Sequence, residues 1–275
     1  MKARQEGEYH TEREADEAIN VIRNNRDKPF FLNLCHYAVH TPIQAKESIV
    51  EKYEAKEPTN QRSPVYAAMV QSVDEALGRI RETLEELGLQ KETLIIFTSD
   101  NGGLLMEQAT NNEPLRLGKG YPYEGGIRIP AIFCWPGQLP AGVVLDDPVI
   151  SMDLLPTLCE AARIDLTGVT TLDGVSLLSL LEKGTPLDRE SLFWHFPHYR
   201  GQDIGPYSII RRGDWKLIRR YEGEPSELYD LGNDLSETTD VSAEHPVLVR
   251  SLEKELEAWL KSVDAKMPLQ KQDTG

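Results

Sequence analysis

The chain carries 275 residues, 40% of them hydrophobic, and its 30 Lys+Arg against 45 Asp+Glu give a formal net charge of −15. A phosphate-backbone binder needs a basic face, and no basic stretch interrupts this acidic chain, which excludes nucleic acid as a partner. Apolar runs at 95–97 and 131–135 are strand-length, far below the roughly 20 residues of a membrane span, and three cysteines (Cys35, Cys134, Cys159) cannot build a disulfide framework.

Residues 1–26 are polar and charged, without the apolar core of a secretory leader, so the chain reads either as cytoplasmic or as a piece of a longer one. Ala15, Ala18, Ile19 and Ile22 fall at helical spacing, with Thr11 or Asp16 as the expected cap. Asp27-Lys28-Pro29 breaks that pattern, and 30–35 reads as a buried strand. Ser63-Pro64 then opens a long helix, Ser as N-cap and Pro in its first turn. Val65, Met69, Val73, Ala76, Leu77, Ile80, Leu84 and Leu87 mark its apolar face, and Gly88 ends it. Residues 93–98 follow as a second buried strand. Strand, helix and strand in this order predict a right-handed parallel crossover. Beyond it come a strand at 129–135, a short helix at 153–162, four aromatic-rich strands at 192–196, 207–211, 215–219 and 227–231, and a closing helix at 246–263. The expected fold is α/β: a partial mixed, largely parallel sheet flanked by helices over 1–185, and a small C-terminal antiparallel sheet subdomain with a closing helix over 186–275.

Ligands of open parallel sheets gather at the carboxyl ends of the strands. Those ends carry His36 and His40 after the first strand and Asp100-Asn101-Gly102-Gly103 after the second. Asp100 and Asn101 offer the oxygen donors a hard cation accepts, though an ordinary Asx turn has the same composition. Pro42 forces Thr41 to be extended and so puts His40 in a loop, where an imidazole titrates near neutrality and can protonate a leaving oxygen. Lys119 lies between glycines in Gly118-Lys119-Gly120, a flexible backbone around a compact cation that suits an anion but lacks the spacing of a P-loop.

Taken in order, Pro29-Phe30-Phe31-Leu32, His40-Thr41-Pro42, Thr98-Ser99-Asp100-Asn101-Gly102-Gly103, Gly118-Lys119-Gly120 and Tyr123-Glu124-Gly125-Gly126-Ile127-Arg128-Ile129-Pro130 resemble the sulfatase family of the alkaline-phosphatase superfamily. Asp153-Leu154-Leu155-Pro156-Thr157-Leu158, Asp214-Trp215-Lys216-Leu217 and Glu227-Leu228-Tyr229-Asp230-Leu231 continue it, in the texture of arylsulfatases and N-acetylgalactosamine-6-sulfatase-like members. The resemblance covers about 12–259 and implies a sulfuric-ester hydrolase acting on aryl or carbohydrate sulfates. It assigns Asp100 and Asn101 to Ca²⁺ (or Mg²⁺), and Lys119 and His40 to catalysis at the sulfate and the scissile ester oxygen. It leaves His36, His195 and His198 as substrate-binding candidates, and Glu124 and Arg128 as supports of the glycine loop. It also implies a sulfated small molecule or glycan as substrate and a periplasmic, extracellular or lysosomal setting. The family's nucleophile, a formylglycine made within Cys-x-Pro-Ser-Arg, has no counterpart here. Cys134-Trp135-Pro136-Gly137-Gln138 and Cys159-Glu160-Ala161-Ala162-Arg163 imitate that motif superficially and read as core. The chain therefore resembles the later part of a sulfatase, inactive alone and completed by an upstream fragment. The competing readings are a phosphodiesterase or phosphonate hydrolase of the same superfamily, and a non-catalytic remnant.

Overall fold

The computed structural model describes residues 7–57, 59–105, 109–169, 171–200 and 204–269. Helix α1 (His10–Asn24) turns Ala15, Ala18, Ile19 and Ile22 inward. Tyr9 stands at its N-cap, so the expected cap is corrected: Thr11 lies within the helix, buried. After α2 (Glu47–Glu54), α3 (Pro64–Glu86) begins as its sequence dictates, with the Ser63 hydroxyl accepting the Tyr66 N–H at 3.1 Å. It ends where Gly88 takes φ +71°, which lets the Leu89 N–H reach the Leu84 carbonyl at 2.7 Å. Ala18, Ile19 and Ile22 of α1 meet Ile80 and Leu84 of α3, and Phe30, Leu32 and Leu34 close over this cluster.

The parallel crossover does not form. Strand β1 (Ile95–Thr98) pairs antiparallel with β2 (Ala131–Cys134), Ile95 opposite Cys134 and Thr98 opposite Ala131. Residues 30–35 are extended but belong to no ladder, so every ladder between strands of the described residues is antiparallel. The reason is local. Alternate side chains of 30–36 (Phe30, Leu32, Leu34, His36) turn toward the α1–α3 cluster, while Phe31, Asn33 and Cys35 face outward with no strand beside them. Phe31 is 75% exposed. An extended apolar segment with unmatched backbone groups invites pairing with another chain. The 275-residue chain is accordingly expected to self-associate in sedimentation experiments, and Phe31→Lys to shift it toward monomer. A wild-type chain that stays monodisperse and melts cooperatively would contradict this.

Beyond the short helix α4 (Glu124–Ile127) come a 3₁₀ turn (Ser151–Asp153), α5 (Leu154–Ala161) and α6 (Leu178–Lys183). The C-terminal part follows the sequence closely. Strands β3 (Ser191–Phe196), β4 (Tyr207–Arg212), β5 (Trp215–Arg220) and β6 (Glu227–Asp230) form a four-stranded antiparallel meander in chain order. Arg212 pairs with Trp215, so Gly213-Asp214 is a two-residue hairpin loop, with Gly213 at φ +58°. Both faces of this sheet are buried. Ile210, Leu217 and Leu228 pack on Leu252, Leu256 and Leu260 of the closing helix α7 (Pro246–Ser262). Ile209, Ile218, Tyr207 and Tyr229 pack instead on Tyr123, Leu117, Tyr121 and Ile127, the glycine-rich segment. That second face is what seats the Lys119 loop. The fold is thus mixed α/β with a small C-terminal antiparallel sheet and a closing helix.

Candidate active site

Two loops interlock at the end of β1. Gly102 donates its N–H to the Gly126 carbonyl at 3.0 Å, and Lys119 donates its own to Gly103 at 3.0 Å. Asn112 Nδ2 ties the pair together by donating to the Gly103 and Leu117 carbonyls at 3.0 and 2.9 Å. The loops approach so closely that only glycine fits. A Cβ on Gly102 would lie 2.7 Å from the Gly125 carbonyl carbon, and one on Gly118 would lie 2.6 Å from Asn112 Nδ2. Asp100, Asn101 and Lys119 are therefore brought together by main-chain contacts, although they are far apart in sequence.

Asp100 is exposed, and its carboxylate makes no hydrogen bond or ion pair among the described residues. Asn101 donates its side-chain N–H to the Gly102 carbonyl at 3.0 Å, which leaves its amide oxygen open. The donors fit a hard cation in kind. They fall short in number, since Ca²⁺ takes roughly 6–8 oxygens and no group of three or more His, Cys, Asp or Glu among the described residues is arranged around an ion.

Behind the Lys119 loop lies a buried ionic cluster. Lys216 projects from β5 and is 0% exposed. Its ammonium sits 2.9 Å from Glu124 Oε1, and 2.8 Å from Glu237 Oε1 without a well-aligned hydrogen bond. Glu237 Oε2 in turn accepts the Glu124 N–H at 2.6 Å. Arg116 lies 3.8 Å from the centre of the Tyr123 ring and donates to the Tyr229 hydroxyl at 3.0 Å and the Glu237 carbonyl at 2.8 Å. Glu124 thus holds the glycine loop, as the resemblance implies, whereas Arg128 is exposed. Burial pushes the Glu237 carboxyl upward, opposed by Lys216 and by the Glu124 N–H.

A second cluster sits alongside. Glu227 accepts from Tyr123 (2.8 Å), Tyr229 (2.6 Å) and Arg220 (2.8 Å). Burial alone would raise its pKa, but these hydrogen bonds, the Tyr229 one foremost, hold it below the usual carboxylate range. Burial and the same carboxylate push the Tyr229 and Tyr123 hydroxyls upward. A depressed carboxylate adds stability that is complete above its unfolded pKa, about 4.3, and disappears as pH falls through the lower folded value. Thermal melts should therefore lose stability below about pH 4.3, and Glu227→Gln should flatten that acid limb; an unchanged limb would discount this cluster. Glu237 acts oppositely, losing its contribution as pH rises from that value, so Glu227→Gln isolates the acid-side effect.

The histidines divide. His36 Nδ1 lies 2.7 Å from Glu14 on α1, and the same carboxylate holds His10 at 2.9 Å. His40 is exposed, its ring beside Tyr37 (centroids 5.5 Å) and its Nδ1 3.0 Å from the Thr41 carbonyl. A carbonyl only accepts, so Nδ1 carries the hydrogen and Nε2 stays free to bind a proton. Among the described residues no hydrogen bond or ring contact joins His36 or His40 to the Asp100–Lys119 loops. His195 engages both ring nitrogens inside the subdomain, Nδ1 with Ser208 Oγ at 2.7 Å and Nε2 with the Lys266 carbonyl at 2.9 Å. His198 is exposed, edge-on to Phe196. Asp153, fully buried, accepts the Ile150 and Val175 N–H groups (2.9 and 3.0 Å) and a forked pair from Arg189 (2.6 and 2.9 Å).

Sequence reasoning missed the partners of Lys216 and Asp153. The signal was a lone charge within an apolar run: Lys216 between Trp215 and Leu217, and Glu124 among Tyr, Gly and Ile. A charge in such a run must find an opposite charge when buried.

Residues 2–164 match the Sulfatase family model, and residues 116–266 match the model described as N-sulphoglucosamine sulphohydrolase, C-terminal. The chain is 40% identical over 263 residues to a sulfatase of Formosa agariphila, an alignment covering 86% of this chain and 47% of that protein. It is 33% identical over 267 residues to human arylsulfatase A, covering 87% and 50%. The crystal structure of Ps i-CgsB in complex with k-i-k-neocarrahexaose superposes with a TM-score of 0.84 at 33% identity, over 99% of this chain and 59% of that one. The chain spans about half the length of these curated relatives. No helix of the described residues is long and apolar enough to cross a membrane.

Proposed function

The chain belongs to the sulfatase family, and from that premise we propose that it forms the sulfate-holding part of a hydrolase for aryl or carbohydrate sulfate esters. The observation that carries this reading is the interlock that brings Lys119 beside the Asp100-Asn101 turn. The Lys119 ammonium, without a carboxylate partner among the described residues, offsets negative charge on the sulfuryl group as it transfers. His40 delivers a proton from Nε2 to the departing oxygen, its Nδ1–H held by the Thr41 carbonyl. Asp100 and Asn101 would hold one edge of a Ca²⁺ or Mg²⁺ ion, and such a cation, when bound, would add fixed positive charge to the site. The nucleophile comes from a segment carrying Cys-x-Pro-Ser-Arg, a pattern absent from these 275 residues. His36, paired with Glu14, and the exposed His198 remain pocket-wall candidates, and the 1–185 and 186–275 division stands as a proposal on the same footing.

Sulfate release tests the assignment. The chain alone should release none, and the chain joined to such a segment should hydrolyse an aryl sulfate or a sulfated sugar. In the joined protein Lys119→Ala should lower turnover about 10²–10³-fold and His40→Ala about 10²–10⁴-fold, while Asp100→Ala loses the cation as well. Turnover untouched by the first two substitutions would mean that these roles sit on the wrong residues.

A further inference from the structure

Lys119 is not the only cation on its turn. Gly120, the next residue, has φ +93°, and a Cβ built on it would lie 2.6 Å from Cζ and 2.8 Å from Cδ of Arg200. The Arg200 guanidinium therefore rests directly on the Gly120 backbone. It comes from a distant part of the chain, the loop between β3 and β4. The Arg200 main-chain N–H is pinned to the Ile204 carbonyl at 2.9 Å, and the Tyr207 hydroxyl on β4 donates to the Gly120 carbonyl at 3.4 Å.

Asp100, beside Lys119, is assigned to the cation by the proposed function, and among the other described carboxylates around this turn none pairs with either Lys119 or Arg200. Glu124 and Glu237 hold Lys216, Glu227 holds Arg220, and Glu222 is hydrogen-bonded by Tyr199. Neither Arg200 nor Lys119 makes a side-chain hydrogen bond or ion pair among the described residues. In a chain of net charge −15, two half-buried cations at one turn, neither with an ion-pair partner among the described residues, form a local anion site against the overall field. Lys is a point charge and Arg a planar fork that matches a carboxylate or sulfate two oxygens at a time. The pair thus suits a ligand with two anionic groups, one at each cation.

We propose that Arg200 is a specificity residue, binding a second anionic group, a carboxylate or a further sulfate, carried by the substrate beside the ester held at Lys119. This rests on the sulfatase reading and adds a substrate class to it: sugars with two neighbouring negative groups. The glycine at 120 then has a chemical purpose, since any side chain there would push the guanidinium off the turn.

Calorimetry on the full chain with matched probes tests it. The probes are a disaccharide with one sulfate ester, the same disaccharide with its neighbouring sugar a uronate, and the same with a second sulfate in place of the carboxylate. Wild type should bind one or both dianionic probes at least tenfold more tightly than the monosulfated one, and the tighter arm identifies the anion. Arg200→Gln should bring that ratio close to one while leaving monosulfate binding and the thermal melt unchanged, and Arg200→Lys should restore part of it. Lys119→Ala should weaken all three. A dianion preference that survives in Arg200→Gln overturns the Arg200 role and leaves the sulfatase reading standing. Loss of monosulfate binding in that variant, with an unchanged melt, also overturns the division of labour. A wild-type chain that binds no sulfated sugar overturns both.

Discussion

Lys216→Met is expected to cost about 3–5 kcal/mol of folding stability, the usual penalty for removing one partner of a buried ion pair. The substitution keeps the length and apolar stem of the side chain, so packing between Ile209, Ile218 and the glycine loop is little disturbed. What it removes is the charge facing Glu124 and Glu237, both almost fully buried. Two carboxylates would then face one another with only the longer Arg211–Glu124 contact at 3.9 Å to offset them, the Glu237 carboxylate held against the Glu124 N–H. Adding Glu124→Gln and Glu237→Gln should recover most of the loss, because neutral amides carry no such repulsion. Urea unfolding of the single and triple variants measures both quantities. Amide exchange at Gly125 and Lys119 should quicken in the single variant, since their bonds to Arg116 and Gly103 depend on the same seat. A loss below about 1 kcal/mol, the scale of one ordinary hydrogen bond, would show that the cluster does not hold the loop.

Gly102→Ala should be comparably damaging for a different reason. Its Cβ would meet the Gly125 carbonyl carbon at 2.7 Å and the Gly126 Cα at 3.1 Å, so backbone collides with backbone and no side chain can rotate away. The cost should reach about 3 kcal/mol, the upper end of ordinary overpacking penalties, with the Asp100 turn displaced from Lys119. Gly78→Ala provides the contrast. Gly78 lies inside α3 with nothing within 4 Å of its Cβ position, so alanine there should stabilise by about 0.8–1 kcal/mol. Paired thermal melts read both signs in one experiment. Equal effects at the two positions would mean that the loop contact is soft.

These clusters also mark how far the sequence can be read. The α3 cap, the four C-terminal strands and the closing helix were legible because each follows from neighbours: Ser before Pro, Gly at a turn, apolar residues at a fixed spacing. The pairing of 30–35 with 93–98 was not. An apolar extended run states that it wants partners without stating which, and β1 found β2 instead. At the site, Asp100, Asn101, Lys119 and His40 stood out by motif. Lys216 and Glu237 did not, because their role rests on a contact between segments whose spacing in the chain carries no signal. Arg200 was invisible for the same reason, since its neighbour Gly120 belongs to another segment.

The seat of the Lys119 loop has a further consequence, in the order of synthesis. Glu237 follows Glu124 by 113 residues, and at about 5–20 residues per second a ribosome needs roughly 6–23 s to make the difference. Lys216 arrives only 92 residues into that interval, the last strand of the sheet face ends at Asp230, and Glu237 comes last. The loop's apolar residues, Leu117, Tyr121, Tyr123 and Ile127, emerge long before their cover. The segment that carries Lys119 is therefore uncovered until the C-terminal sheet arrives. A stop codon placed just before residue 237 removes the acceptor of the Glu124 N–H and leaves Lys216 with Glu124 alone.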